Sequence, residues 1–148
     1  GLSARMSELH AAVGLLSLRR MDELVKARRQ LIEVYRARLG ALPGCRVQDF
    51  PTDRASSGNY FVLFITARAR ASRDEVYAGL AARGIQTKRY FYPPVHEQTL
   101  LQRVAHRVSE RMEHTVAASR EALALPLYSH MTSEQVDRVC QEVERVLA

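Results

Sequence analysis

The chain has 148 residues, 47% of them hydrophobic and 26% charged, a balance that suits one domain with a real core and excludes wholesale disorder. Its net charge of +6 rests on 22 cations, of which only Lys26 and Lys88 are lysines. The arginines are scattered singly or in pairs with no aromatic-plus-basic stacking motif, so nucleic-acid binding is not expected.

No apolar run is long enough to span a bilayer, and the chain does not open on a basic-then-apolar leader. A cytoplasmic protein with no membrane association is expected, with Cys45 and Cys140 as reduced, partly buried thiols and no metal site. In chain order, Met6, Leu9, Val13 and Leu16 recur at helical spacing, with Ala11, Ala12 and Leu15 widening the face. They predict a first helix capped by Ser3 or Ser7, and its abrupt start reads as the tail of an upstream element. Arg19 to Asp22 marks a break. A longer helix follows, carried by Met21, Leu24, Val25, Ile32, Tyr35 and Leu39 and closed by Gly40.

Pro43-Gly44 signals a turn before a short strand over Cys45–Phe50, and the run Tyr60–Thr66, apolar on both faces, predicts a central, covered strand. Ser72 and Glu75 have the spacing of a capping box, opening a helix that ends at Gly84. The stretch Gly84–His96 then packs Lys88, Arg89, Tyr90, Tyr92 and His96 around two prolines. This composition suits a strand delivering polar groups to the rim of a site. With a period of two, Lys88, Tyr90 and Tyr92 face one way and Arg89 the other.

A helical turn over Glu97–Arg103 and a polar helix over Val108–Arg120 come next. Ala122–Tyr128 reads as a short buried strand that Pro126 ends or places at an edge. A second capping box, Thr132 with Gln135, opens a last helix with the face Val136, Val139, Cys140, Val143, Val146 and Leu147. The order α-α-β-β-α-β-α-β-α predicts an α+β fold: a small, largely antiparallel sheet backed by helices and preceded by a long bent helix.

A self-contained catalyst cannot be assembled from these residues. The five histidines show no zinc spacing with an acid or a cysteine, and the seven glycines form no phosphate loop. Lys88 as an activated amine has only Arg89 beside it as support.

Two stretches combine into a pattern. Gly1, Arg5, Met6, Glu8, Ala11, Ala12 and Gly14 fit G-x-N-x-R-M-x-E-x-x-A-A-x-G, and Gly84, Ile85, Thr87, Pro93 and His96 fit G-I-x-T-x-x-x-x-x-P followed by a histidine. The ending Leu123–Tyr128 with Thr132–Val139 completes it. In this order the motifs resemble the C-terminal portion of the DegT/DnrJ/EryC1/StrS sugar aminotransferases, which use pyridoxal 5'-phosphate and act on nucleotide-linked ketosugars in amino-sugar biosynthesis.

The resemblance implies that residues 1–20 belong to a large domain otherwise absent here and that residues 21–148 form the small domain. The Schiff-base lysine would lie in that N-terminal large domain, so the chain alone would bind no cofactor and have no catalytic residue. It also implies a homodimer and an amino donor such as glutamate. The family's asparagine, which reaches the phosphate of the neighbouring subunit's cofactor, is replaced here by Ser3, whose hydroxyl has a shorter reach. Lys88 becomes a candidate for a diphosphate, Tyr90 and Tyr92 for the sugar, and His96 for the substrate side. Core packing for the two tyrosines, solvation for Lys88 and a satisfied loop histidine remain open alternatives. The alternative for the whole chain is a non-catalytic remnant serving as a dimerisation or regulatory module.

Overall fold

The computed structural model describes residues 5–49, 56–108 and 111–148. Three helices begin where the sequence supplies a side-chain oxygen for their free amides. Ser7 caps α1 (Glu8–Arg19) by accepting from the His10 amide, and the break falls at Arg20, before α2 (Met21–Leu39). After the strands β1 (Cys45–Val47) and β2 (Phe61–Ile65), α3 (Arg73–Ala82) opens on the expected Ser72–Glu75 capping box. Hydrogen bonds from Ser72 hold the exposed Glu75 carboxyl below the usual glutamate range.

Helix α3 ends in a Schellman turn: Gly84 takes φ 73°, its amide donates to the Ala81 carbonyl, and the Ile85 amide donates to the Leu80 carbonyl. Ile85 is thereby folded into the core with Leu80. The next strand, β3 (Lys88–Arg89), is short, and two 3-10 turns follow at Val95–Glu97 and Leu101–Arg103. Helix α4 (Glu113–Glu121) is shorter than the expected Val108–Arg120, with Val108 outside it. It leads into β4 (Ala122–Leu125), and α5 (Ser133–Leu147) opens on the second capping box.

The strands lie in the order β1-β2-β4-β3, and every neighbouring pair is antiparallel. Strand β4 is therefore interior, and Pro126 ends it rather than marking an edge. Register sets Leu63 opposite Leu123 and Phe61 opposite Leu125. Directly opposed residues share a face, so these four point together. With Ile65 they meet Leu31, Ile32, Tyr35 and Leu39 of α2, Val76 and Leu80 of α3, and Val136, Val139, Cys140 and Val143 of α5. The other face carries only Val62, Ala122 and Ala124, flanked by Phe64 and Tyr90. Helices α2, α3 and α5 pack against one face of β2, while the other carries a thin apolar patch bordered by α4.

Two long-range polar contacts fasten the helical layer. The Tyr35 hydroxyl donates to the Pro126 carbonyl at 2.8 Å while its ring stacks on Phe61, and burial pushes the phenol far above its usual pKa. Arg38 on α2 donates to both carboxylate oxygens of Glu144 at 2.7 Å and to Asp137 at 3.1 Å on α5. Helix α1 behaves differently. None of its residues is buried, and Leu9, Val13, Leu15, Leu16 and Leu18 all stand exposed.

Among the described residues no helix is long and apolar enough to cross a membrane, and no group of histidine, cysteine and acidic side chains could hold a metal ion. Both cysteines are free thiols; burial raises the Cys45 pKa and pushes Cys140 up to about 11. Raised pKa values keep both sulfurs protonated and poorly nucleophilic at neutral pH. Alkylation followed by mass spectrometry should show slow native labelling, with Cys140 slower than the half-buried Cys45, and rapid labelling of both in denaturant. Leu63→Ala should lower unfolding free energy by about 2–5 kcal/mol in denaturant titration, because the side chain is fully enclosed between sheet and helices.

Candidate functional site

Of the sequence-predicted polar groups, Lys88 and Tyr90 stand on the sheet face opposite α2, α3 and α5. Lys88 stands opposite Ala124 and so shares its face, whereas Arg89 stands opposite Leu123 and points to the helical side. There Arg89 donates to Asp74 at 2.7 Å, and its guanidinium lies 4.4 Å from the centre of the Tyr77 ring. The expected division between Lys88 and Arg89 is thus present.

Alternation stops at that point. Only Lys88 and Arg89 pair as strand, although the Tyr90 amide still donates to the Ala122 carbonyl at 3.3 Å. Phe91 then takes φ 50°, and the Tyr92–Pro93 bond is cis. Tyr90 packs on the Val62, Ala122 and Ala124 patch and meets Tyr60 edge-on, ring centres 5.2 Å apart. Tyr92 lies instead over the guanidinium of Arg73, 4.7 Å from it, at the start of α3. The shared orientation expected of Tyr90 and Tyr92 is not kept, because the backbone leaves the extended conformation on which a period of two depends.

Two clefts border this region. One, of about 550 Å³, is lined by Lys88, Thr87, Gln86, Tyr60, Tyr128 and Arg138 among others. The other, of about 740 Å³, is more apolar and is walled by Tyr90, Phe91, Phe64, Val62, Pro94 and Arg46 among others. The Tyr60–Tyr90 pair joins them. Thr87 contributes a buried hydroxyl that makes no hydrogen bond. His96 lines neither cleft; it sits half-buried in the first 3-10 turn with Nε2 3.8 Å from a Glu97 oxygen. Ser3 lies outside the described residues.

Sequence reasoning missed Tyr60, Thr87 and Arg73. Tyr60 was absorbed into an apolar strand, Thr87 into a motif, and Arg73 into a capping box. Partners acquired across the fold reveal Tyr60 and Arg73, and a buried hydroxyl without a partner reveals Thr87.

The described residues do not by themselves make a pyridoxal-phosphate site. Lys26 is exposed on α2, Lys88 is exposed and 5.9 Å from the Phe91 ring centre, and no acidic side chain lines the cleft beside Lys88. Neither amine is enclosed as a Schiff-base lysine would be, and nothing there could pair with a pyridine nitrogen. Several of the arginines are engaged within the fold. Arg28 and Arg29 donate to the Ser57 and Ser56 carbonyls, while Arg38, Arg83 and Arg89 hold Glu144, Glu142 and Asp74.

Known proteins resemble the chain over nearly its whole length. The chain is 30% identical over 151 aligned positions to a GDP-perosamine synthase of Caulobacter vibrioides, covering 99% of this chain and 39% of that protein. It is 25% identical over 139 positions to a dTDP-4-amino-4,6-dideoxy-D-glucose transaminase of Escherichia coli, covering 94% of this chain and 38% of that one. The chain therefore spans a little over a third of the curated relatives it matches. A crystal structure of DesI with its TDP-sugar product superposes with a TM-score of 0.86 at 29% identity, over 98% of this chain and 36% of that one. The model of the DegT/DnrJ/EryC1/StrS aminotransferase family matches residues 1–144, and the chain belongs to that family.

Proposed function

We propose that this chain is the small domain of a pyridoxal-phosphate-dependent aminotransferase that acts on a nucleotide-linked ketosugar, and that it forms the substrate-side wall of the site. The observation that carries the reading is the open sheet face, which presents Lys88, Tyr60 and Tyr90 together beside a cleft. A diphosphate suits an exposed ammonium, and a sugar ring suits aromatic edges with hydroxyls. Relatives named for dTDP- and GDP-linked amino sugars support the substrate class.

In this reading the lysine that binds the cofactor belongs to a large domain N-terminal to these residues, and the chain is not catalytic alone. Residues 1–20 belong with that large domain and residues 21–148 form the small one. The uncovered α1, with five exposed leucine and valine side chains, supports the division: such a helix suits burial against a further element. The complete protein would work as a homodimer, Ser3 would approach the cofactor phosphate of the neighbouring subunit, and glutamate is the expected amino donor. Tyr92 and His96 remain on the substrate side of the proposal, Tyr92 through its stack on Arg73 and His96 as part of the turn that follows the prolines.

Three measurements test this reading. In the full-length protein, Lys88→Ala should raise KM for the nucleotide-linked ketosugar about tenfold with kcat little changed, the pattern of a lost binding contact. An unchanged KM would remove Lys88 from the site. The isolated chain, mixed with pyridoxal phosphate and borohydride, should acquire no reduced adduct by mass spectrometry; a stoichiometric adduct at Lys88 would overturn the claim that the chemistry lies elsewhere. The isolated chain should also bind a hydrophobic dye, and Leu9→Ser with Val13→Ser and Leu16→Ser should reduce that binding without lowering Tm, since none of the three is buried.

A further inference from the structure

Arg73 is only 4% exposed, although it sits in the first turn of α3, where the helix dipole disfavours a cation. Burying a guanidinium is costly unless its donors are met. Its Nη1 donates to the Ser119 carbonyl at 3.2 Å and to the Ala122 carbonyl at 3.1 Å, while its buried Nε forms an ion pair with Asp74 Oδ1 at 2.9 Å but no hydrogen bond. Ser119 belongs to the last turn of α4 and Ala122 opens β4. The side chain thus fastens the start of α3 to the junction of α4 and β4.

That junction also controls the wall of the site. The Ala122 carbonyl accepts from the Tyr90 amide as well as from Arg73, and the same guanidinium lies against the Tyr92 ring. Arg73 therefore meets Tyr92 on one side of Phe91 and shares the Ala122 carbonyl with the Tyr90 amide on the other. The Phe91 φ of 50° is disfavoured for a residue with a side chain and persists only where its surroundings hold it. Asp74 braces the arrangement by accepting from Arg89 at 2.7 Å on the oxygen that faces Arg73. Lysine could not reproduce it: one ammonium cannot serve two carbonyls and lie flat against a ring.

We infer that Arg73 is a positioning residue that, by holding Tyr92 and the Ala122 carbonyl, fixes Tyr90 as part of a preformed wall for the sugar. The inference rests on the reading that this wall meets the substrate. Preorganisation of this kind lowers the ordering cost of binding, so its loss falls on the sugar and not on the amino donor.

Two readouts test it, one of them independent of activity. In the chain labelled with 3-fluorotyrosine, Arg73→Met and Arg73→Lys should shift or broaden the fluorine signals of Tyr90 and Tyr92 while leaving Tyr35 in place. Unmoved Tyr90 and Tyr92 signals would overturn the role. Should both variants lose the Tyr35 signal through unfolding, Asp74→Asn, which keeps Arg73, decides: movement confined to Tyr90 and Tyr92 supports the role, and no movement overturns it.

In the full-length protein, Arg73→Lys should raise KM for the nucleotide-linked ketosugar about tenfold and leave the glutamate half-reaction within about twofold. Equal loss in both halves, or an unchanged ketosugar KM, would overturn the positioning role. If the wild-type full-length protein turns over no such sugar, the functional reading fails, while the fluorine signals still decide what Arg73 holds.

Discussion

The antiparallel pairing of β2 with β4 is the constraint from which the other arrangements follow. Setting Leu63 opposite Leu123 and Phe61 opposite Leu125 puts the large apolar side chains of both central strands on one face. Three helices gather there, because only there is enough apolar surface available to bury. The small side chains Val62, Ala122 and Ala124 are left on the opposite face. The helices α2, α3 and α5 leave that side free, and it becomes the surface on which Lys88 and the aromatic rings stand, bordered by α4.

The polar contacts serve the same asymmetry. Arg38 with Glu144 and Asp137, and Tyr35 with the Pro126 carbonyl, tie α2 to α5 and to the end of β4 on the packed side. On the open side, the Ala122 carbonyl takes the Tyr90 amide and the Arg73 guanidinium together. A rigid layer of helices and a short strand of two residues can thus hold a loop that makes few backbone hydrogen bonds of its own.

Much of the fold was legible in the sequence because its signals are local. Both capping boxes, the terminating Gly84, the order of elements and the buried face of α5 could be read from spacing alone. The site was legible only up to Arg89. Beyond it, alternation assumed an extended backbone that Phe91 leaves, so Tyr92 reached Arg73 instead of joining Tyr90. Arg73 looked like a helix-cap neighbour because its partners, Ser119 and Ala122, lie more than forty positions away, at |i−j| of 46 and 49. The family resemblance was legible because its motifs recur in order along nearly the whole chain, and it concerns residues 1–144 as matched.

The account stands or falls on what covers the open sheet face in the complete protein. A crystal structure of the full-length protein soaked with a nucleotide-linked sugar measures this directly. The account predicts the diphosphate beside Lys88 and the sugar against Tyr60 and Tyr90, with α1 enclosed by the large domain. A structure in which that face is buried under another protein element, with the sugar held elsewhere, would contradict it.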